Sequence, residues 1–107
     1  MKILVNKNEI NIKYADSYKD KLIGFMFYKK KINYGICFKN VKSIHTFFMM
    51  QNIDVIQTDI NNKIISIYEN VPKNKVIIGK KNVYNTYELP LGTAKFYKVD
   101  DYIKLKL

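Results

Sequence analysis

The residues best suited to binding or catalytic chemistry lie in one stretch, Ile44–Val55, with the sequence IHTFFMMQNIDV. It holds the only histidine, His45, and an aspartate, Asp54, set in an apolar run. An imidazole and a carboxylate in one groove could bind a ligand or exchange protons with it. Buried polar side chains more often have structural partners. The pattern therefore favours Asp54 as a ligand of loop backbone N–H groups that holds the preceding bend, and His45 as a core residue.

Other chemistries lack the residues they need. Cys37 and His45 are the only candidates for a thiol–imidazole pair, and both lie in apolar segments, where burial raises the pKa of a thiol and makes it inert. One histidine and one cysteine cannot form a zinc site. The stretch DINNK at Asp59–Lys63 lacks the glycine and the final glutamate of a calcium loop. We therefore predict no catalytic residues, no metal and no cofactor, and an enzyme is the less favoured interpretation.

The composition predicts one globular domain over residues 1–107. The chain is 48% hydrophobic, which suffices for a core without disulfides. Its net charge of +10 would suit a polyanion. However, all 19 basic residues are lysine, and arginine, the preferred residue for bidentate phosphate contacts, is absent. Lysine, asparagine and isoleucine together also indicate A/T-rich codon usage, so nucleic-acid binding is possible but not favoured.

Location is predicted from three features of the chain. No apolar run approaches the roughly 20 residues of a membrane span, and the start MKILVN lacks the apolar region of about 7–15 residues found in a secretory signal. A single cysteine suits a reducing compartment. We therefore predict a cytoplasmic protein with no membrane span.

Short apolar and alternating runs predict a chain of strands. The predicted strands cover Lys2–Val5, Glu9–Tyr14, Tyr34–Phe38, Ser43–Met50, Ile53–Ile60, Lys63–Tyr68, Val76–Gly79, Asn82–Leu89 and Tyr102–Leu107. Helical spacing of Ala15, Tyr18, Leu22, Phe25 and Met26, with a capping pair at Ser17 and Asp20, predicts a helix that ends near Gly24. Thr93–Tyr97 could form one helical turn. The predicted fold is mainly β (α+β): a rolled antiparallel sheet or a partly open small β-barrel, with a helix over one opening.

Three separated stretches match the motifs of one family. IHTFFMMQNIDVIQTDINNKI (44–64) fits the pattern I-H-[ST]-F-x-M-x-x-x-I-D-V-[VIL]-x-x-D-x-x-G-x-[IV]. LIGFMFYKKKINYGICF (22–38) is similar to a G-L-M-x-R stretch with a glycine-bearing strand, and VYNTYELPLGTA (83–94) to Y-V-L-E-L-P-A-G-T-A. Nearly the whole chain thus resembles the domain-of-unknown-function 192 family of bacterial and archaeal proteins.

The resemblance implies a compact, mainly antiparallel β fold and no established activity. Met50 stands where the family has a basic residue, which weakens any anion site inherited from it. Asn62 and Asp100 stand where it has glycine, and Asn52 where it has proline. Many relatives look exported or lipid-anchored, so the family does not decide location.

The residues and the resemblance together predict a small non-enzymatic β domain. It would bind a ligand or a protein partner through a groove near His45 and Asp54, with Phe47 and Met49 as further contacts. Turn roles are predicted for Gly24, Asp59, Asn62, Pro90 and Gly92. The alternatives are a lysine-rich nucleic-acid-binding domain and a small hydrolase or thiol enzyme centred on His45 and Cys37.

Overall fold

A computed structural model describes residues 1–17, 21 and 23–106 of the chain. These residues form nine β-strands and one 3₁₀ turn, Ala94–Phe96. The strands are β1 Lys2–Val5, β2 Asn8–Tyr14, β3 Gly35–Lys39, β4 Ser43–His45, β5 Ile53–Thr58, β6 Ile64–Val71, β7 Val76–Ile78, β8 Asn85–Leu89 and β9 Leu105–Lys106. The prediction of a mainly β fold is confirmed.

Seven of the strands make one twisted sheet in the order β6-β5-β8-β3-β2-β1-β9, while β4 and β7 pair separately. Its pairs are antiparallel except β2 with β3, which run parallel with Ile12 opposite Gly35. The sheet is therefore mixed. The segment 15–34 makes this possible, because a parallel pair needs a crossover of a dozen or more residues between its strands.

The two edges of the sheet approach each other through the C-terminal segment. Lys63, just before β6, forms a bridge with Tyr102. The N–H of Ile64 donates to the carbonyl of Asp101 at 2.8 Å, and that of Ile103 to Asn62 at 3.0 Å. The same segment continues into β9, which pairs with β1. The sheet therefore closes into a small, partly open barrel.

The barrel carries apolar clusters on both faces of its central strands, so every residue of β5 and β8 is buried. One cluster fills the barrel: Ile3, Val5, Ile12, Cys37, Ile56, Ile64, Tyr87, Leu89, Ala94 and Ile103. The other lies under an outer layer that contains β4, β7 and the described residues 23–34: Ala15, Phe25, Ile32, Ile36, Phe38, Met49, Ile53, Val55, Val71 and Ile77. The outer layer is what forms the candidate site.

The predicted strand Ser43–Met50 is shorter in the structure and ends at His45. The hydroxyl of Thr46 donates to the carbonyl of Pro72 at 2.7 Å and accepts the N–H of Lys75 at 2.8 Å. These bonds turn the chain away from β7, and the N–H of Met49 then donates to the carbonyl of Thr46 at 3.2 Å. A side-chain hydroxyl thus ends a strand that hydrophobicity alone would continue.

Part of the predicted helix, including Tyr18, Asp20 and Leu22, lies outside the described residues. Gly24, at its predicted end, has a φ of +49°. The 3₁₀ turn Ala94–Phe96 lies within the predicted helical turn. Leu107, the predicted end of the last strand, is also outside the described residues. No helix in the described part of the chain is long and apolar enough to cross a membrane.

Candidate functional site

A small pocket of ≈ 120 Å³ opens between the turn around Gly24, strand β4 and the loop that follows it. Three stretches far apart in sequence form its walls. The lining residues are Lys21, Ile23, Gly24, Met26, Ser43, Ile44, His45, Met49 and Glu88. A larger groove of ≈ 520 Å³ lies between β6 and β7, but its lining holds no buried titratable side chain. The small pocket, in contrast to this groove, is lined by the buried carboxyl of Glu88.

Glu88 is the unusual residue of this pocket. It lies in β8 between Ile36 of β3 and Val55 of β5, on the face covered by the outer layer. Only 4% of the residue is exposed. The backbone N–H of Phe25 donates to its carboxyl, while Oε1 has no hydrogen-bond partner among the described residues. Burial raises the pKa of this carboxyl to about 7.

Gly24 places no side chain over the unpartnered oxygen of Glu88. A Cβ atom at this position would lie 2.9 Å from Oε1 of Glu88 and 3.1 Å from Cζ of Phe38. The positive φ of Gly24 also favours glycine at this point. Position 24 thus combines a turn, as predicted from the sequence, with clearance over the carboxyl.

His45 is exposed at the rim of the pocket, so the interpretation of this residue as part of the core is wrong. Its Nδ1 accepts the N–H of Phe47 at 3.2 Å. The two rings stack with centroids 4.9 Å apart. Because Nδ1 is an acceptor, the neutral ring carries its proton on Nε2 and can donate it to a ligand. Met49, in contrast, is buried and forms an apolar wall.

Aromatic side chains beside the pocket stand out in solvent. Phe27 and Phe48 stack with centroids 5.5 Å apart, and they are 62% and 60% exposed. Their φ angles are +61° and +64°, which is costly for a bulky residue. The N–H of Phe27 donates to the carbonyl of Phe48 at 2.9 Å, which ties the two loops together. Backbone strain that holds apolar groups in water is typical of functional surfaces.

Asp54 lies on the other face of the sheet from this pocket. It is 1% exposed, and its carboxylate accepts the N–H groups of Asn70, Gly92 and Ala94 at 2.8, 2.9 and 2.9 Å. It does bind loop backbone, as the sequence predicts. However, Asp54 binds the backbone of a bulge in β6 and of the turn after β8. It does not bind the bend that precedes Asp54 in the sequence. Asp54 therefore fixes the end of the strand that carries Glu88.

The other predicted turn residues lie in two places. Asp59 accepts the N–H groups of Asn61 and Lys63 at 2.9 and 3.0 Å in the hairpin between β5 and β6. Pro90 accepts the N–H of Thr93 at 3.1 Å, in the turn that contains Gly92.

Asn62 has a left-handed φ of +64° in the first of these turns, and its side chain has a second role. Its Oδ1 accepts the hydroxyl of Tyr87 at 2.7 Å and the amide of Asn85 at 3.1 Å. A turn residue is thus also an acceptor for the barrel interior.

The structure places Cys37 and His45 apart. Cys37 lies in the barrel cluster, with its Sγ 4.0 Å from Oδ1 of Asn85, whereas His45 lies at the rim of the outer layer. Burial raises the pKa of the Cys37 thiol to about 11, which suppresses the thiolate at neutral pH. Within the described residues, no three side chains of His, Cys, Asp or Glu form a group that could hold a metal.

Sequence reasoning missed Glu88 as a site residue. The signal was the one that singled out Asp54, since Glu88 is also an acid inside an apolar strand, between Tyr87 and Leu89. Nothing in the sequence tells which of the two carboxylates is saturated by backbone donors. That difference arises from the loops that pack against each strand end.

The fold and the pocket define a class: a small, mainly β barrel with a second apolar layer and a buried carboxyl beneath it. The chain belongs to the domain-of-unknown-function 192 (DUF192) family, "Uncharacterized ACR", whose match covers residues 1–107. Each of the three motifs that carry the resemblance supplies residues of the pocket. The motif at 22–38 supplies Gly24 and Met26, the motif at 44–64 supplies His45 and Met49, and the motif at 83–94 supplies Glu88. They converge on the pocket, although they are far apart in sequence.

Two crystal structures share this fold. A protein of unknown function from Novosphingobium aromaticivorans superimposes with a TM-score of 0.80 at 13% identity, over 97% of this chain and 82% of that one. A "putative transcription regulator" from Sinorhizobium meliloti superimposes with a TM-score of 0.81 at 16% identity, over 96% of this chain and 89% of that one. At these identities the likeness concerns the fold alone. No curated protein matches the chain.

Proposed function

We propose that this protein is a non-enzymatic binding domain that holds a small ligand, or a short part of a protein partner, in the pocket over Glu88. The observation that carries the proposal is the buried carboxyl of Glu88, whose Oε1 lacks a hydrogen-bond partner among the described residues. A buried polar atom without a partner costs free energy that a bound donor would recover.

The walls of the pocket support this proposal. Met49 and Ile44 provide apolar contact, and His45 offers a donor at the rim. Phe47 stacks on His45 and so orients the ring. Asp54 contributes from the opposite face, because it fixes the turn after β8. An apolar pocket with few convergent polar groups is the usual form of a small-molecule site.

A fragment screen by two-dimensional NMR on labelled protein tests the proposal. A ligand of the pocket should shift the backbone amides of Gly24, His45, Met49 and Glu88, and leave Ile78 in the larger groove unchanged. No shift at the pocket with chemically diverse fragments and short peptides would refute it.

A matched pair of variants sharpens the test. Gly24→Ala places a methyl group 2.9 Å from Oε1 of Glu88, so ligand binding should be lost. Gly92→Ala imposes a similar backbone cost at a φ of +91°, but its Cβ meets no atom within 4 Å. Binding that survives in Gly92→Ala and is lost in Gly24→Ala locates the ligand at Glu88. Equal loss in both variants would point to general destabilisation instead.

Nucleic-acid binding is the second candidate, because one end of the molecule gathers lysines from two loops. Exposed Lys39 and Lys42 flank Val41, whose N–H donates to the carbonyl of Tyr84 at 3.1 Å, beside exposed Lys80 and Lys81. Binding to phosphates at this end should weaken steeply with salt. Replacement of Lys80 and Lys81 by glutamine should lower the salt dependence by about 1.8 in log–log slope if both contact phosphates. A double variant at Lys29 and Lys30 is the control, and equal effects in both would exclude this end as the site.

A further inference from the structure

We propose that the group bound by Glu88 is a compact alkylammonium, carried by a free primary amine or by an amino group of a partner chain. The inference rests on the proposed function and names the chemistry of its ligand.

Glu88 has no cationic side chain paired with it among the described residues. The chain has 19 lysines, yet every ion pair between described residues involves Glu9 or Asp100 at the surface. Glu88 lines the pocket and receives one backbone N–H, from Phe25, while its Oε1 is buried without a hydrogen-bond partner among the described residues. An ionised carboxylate in such a place is costly without a positive partner. An ammonium supplies both the positive charge and as many as three N–H donors.

The volume of the pocket limits the size of its ligand. The pocket of ≈ 120 Å³ equals about four water molecules at ~30 Å³ each. That volume holds an ammonium and a few methylene groups. The side chains of Met49 and Ile44 offer an apolar wall for those methylenes, while the nitrogen faces the carboxyl. The pocket is too small for a drug-sized ligand, because such sites measure roughly 300–1,000 Å³.

Gly24 leaves the space next to Oε1 of Glu88 free of a side chain. At 2.9 Å from Oε1, any Cβ at position 24 would cover the oxygen that the ammonium needs. Gly24 therefore puts no side chain between this oxygen and the rest of the pocket lining, which includes the exposed His45 and Lys21.

The positive surface of the protein repels a cation, and this repulsion makes the salt dependence of affinity characteristic of an amine ligand. The net charge is +10, and Lys21 lies at the rim. Salt screens exposed charges over about 10 Å at 0.1 M, but screens a buried pair much less. Affinity for an amine should therefore hold or rise as salt is added, in contrast to the fall expected for a nucleic acid.

The experiment compares n-propylamine with n-propanol, which has nearly the same shape without the charge, by NMR titration at about pH 8, where Glu88 is ionised and the amine charged. Propylamine should shift Gly24, Phe25 and Glu88 and bind at least about tenfold more tightly than propanol, a difference of about 1.4 kcal/mol. Glu88→Gln should remove that advantage, whereas the control Glu69→Gln, at an exposed carboxylate, should retain it. Equal binding of the two compounds, or undiminished amine binding by Glu88→Gln, would overturn the proposal.

Two further arms separate the remaining outcomes. If a peptide with a free amino terminus binds about tenfold more tightly than propylamine and loses this extra affinity when the amino terminus is acetylated, a partner chain is the source of the ammonium. If propylamine binds and the peptide shows no such gain in affinity, the ligand is a free amine. Neutral or anionic fragments that shift Gly24 and Glu88 while amines do not would refute the amine and leave the proposed function standing. If no compound shifts these amides, both the amine proposal and the proposed function are refuted.

Discussion

Replacement of Glu88 by glutamine should change how the stability of this protein depends on pH. The pKa of the buried carboxyl is about 7 in the folded protein, against 4.5 for a solvent-exposed glutamate carboxyl, as in the unfolded chain. Between these values the folded state binds more protons than the unfolded state. Stability contributed by this group is therefore fully present below about pH 4.5 and decreases as the pH rises through 7.

The size of the effect follows from the same difference. Each pKa unit corresponds to about 1.36 kcal/mol, so the wild-type free energy of unfolding should lose about 3 kcal/mol to this group between roughly pH 4 and pH 8. Glutamine cannot ionise. The free energy of unfolding of Glu88→Gln minus that of the wild type should therefore rise by about 3 kcal/mol over that range, whatever constant cost the amide adds.

Urea denaturation at a series of pH values measures this difference. The other titratable residues that line the pocket, Lys21 and His45, are present in both proteins, and repeating the pair in a His45→Gln background removes coupling to the imidazole. Glu69→Gln is the exposed control and should track the wild type. A difference between Glu88→Gln and wild type that stays constant with pH would refute the reasoning, because it would mean that Glu88 is solvated or has a counter-ion.

Three other predictions follow from buried polar groups. Asp54→Asn should lower the free energy of unfolding by about 2–4 kcal/mol in urea titrations, because charge-assisted bonds to three backbone N–H groups are lost. A smaller loss of stability than in the control Asp16→Asn, at an exposed carboxylate, would contradict this prediction. Asn62→Gly keeps the left-handed turn but removes the acceptor of the Tyr87 hydroxyl, so it should destabilise by about 1–3 kcal/mol; a neutral or stabilising result would show that only the turn matters. Cys37 should resist a thiol reagent in the native state and react at once in denaturant, and rapid native labelling would contradict its burial.

Much of the sheet can be predicted from local pattern. Lys2–Val5 holds one lysine followed by apolar residues, and Asp54 lies within the apolar run of β5. Both runs indicate strands, in which side chains point alternately to opposite sides of the sheet. Asn61 and Asn62 indicate a hairpin, since asparagine tolerates left-handed backbone. The burial of Asp54 among backbone donors also follows from the cost of an unpaired charge.

The parallel pairing of β2 with β3 and the closure through Tyr102 are beyond local pattern. Both depend on which distant segments meet once the chain has folded. The same holds for the end of β4, where the hydroxyl of Thr46 finds partners in Pro72 and Lys75 and overrides an apolar run that would otherwise continue.

The sequence by itself determined that this chain forms a mainly β domain of its family and that any polar chemistry would come from a few acids and one histidine. Only the tertiary structure decided which of them form a site. Asp54 and Glu88 are both acids within apolar strands, but they lie on opposite faces of the sheet. Backbone donors saturate Asp54, while one oxygen of Glu88, beside Gly24, is buried without a partner among the described residues. The availability of a carboxylate depends on the groups packed around it, and those come from segments that the sequence keeps far apart.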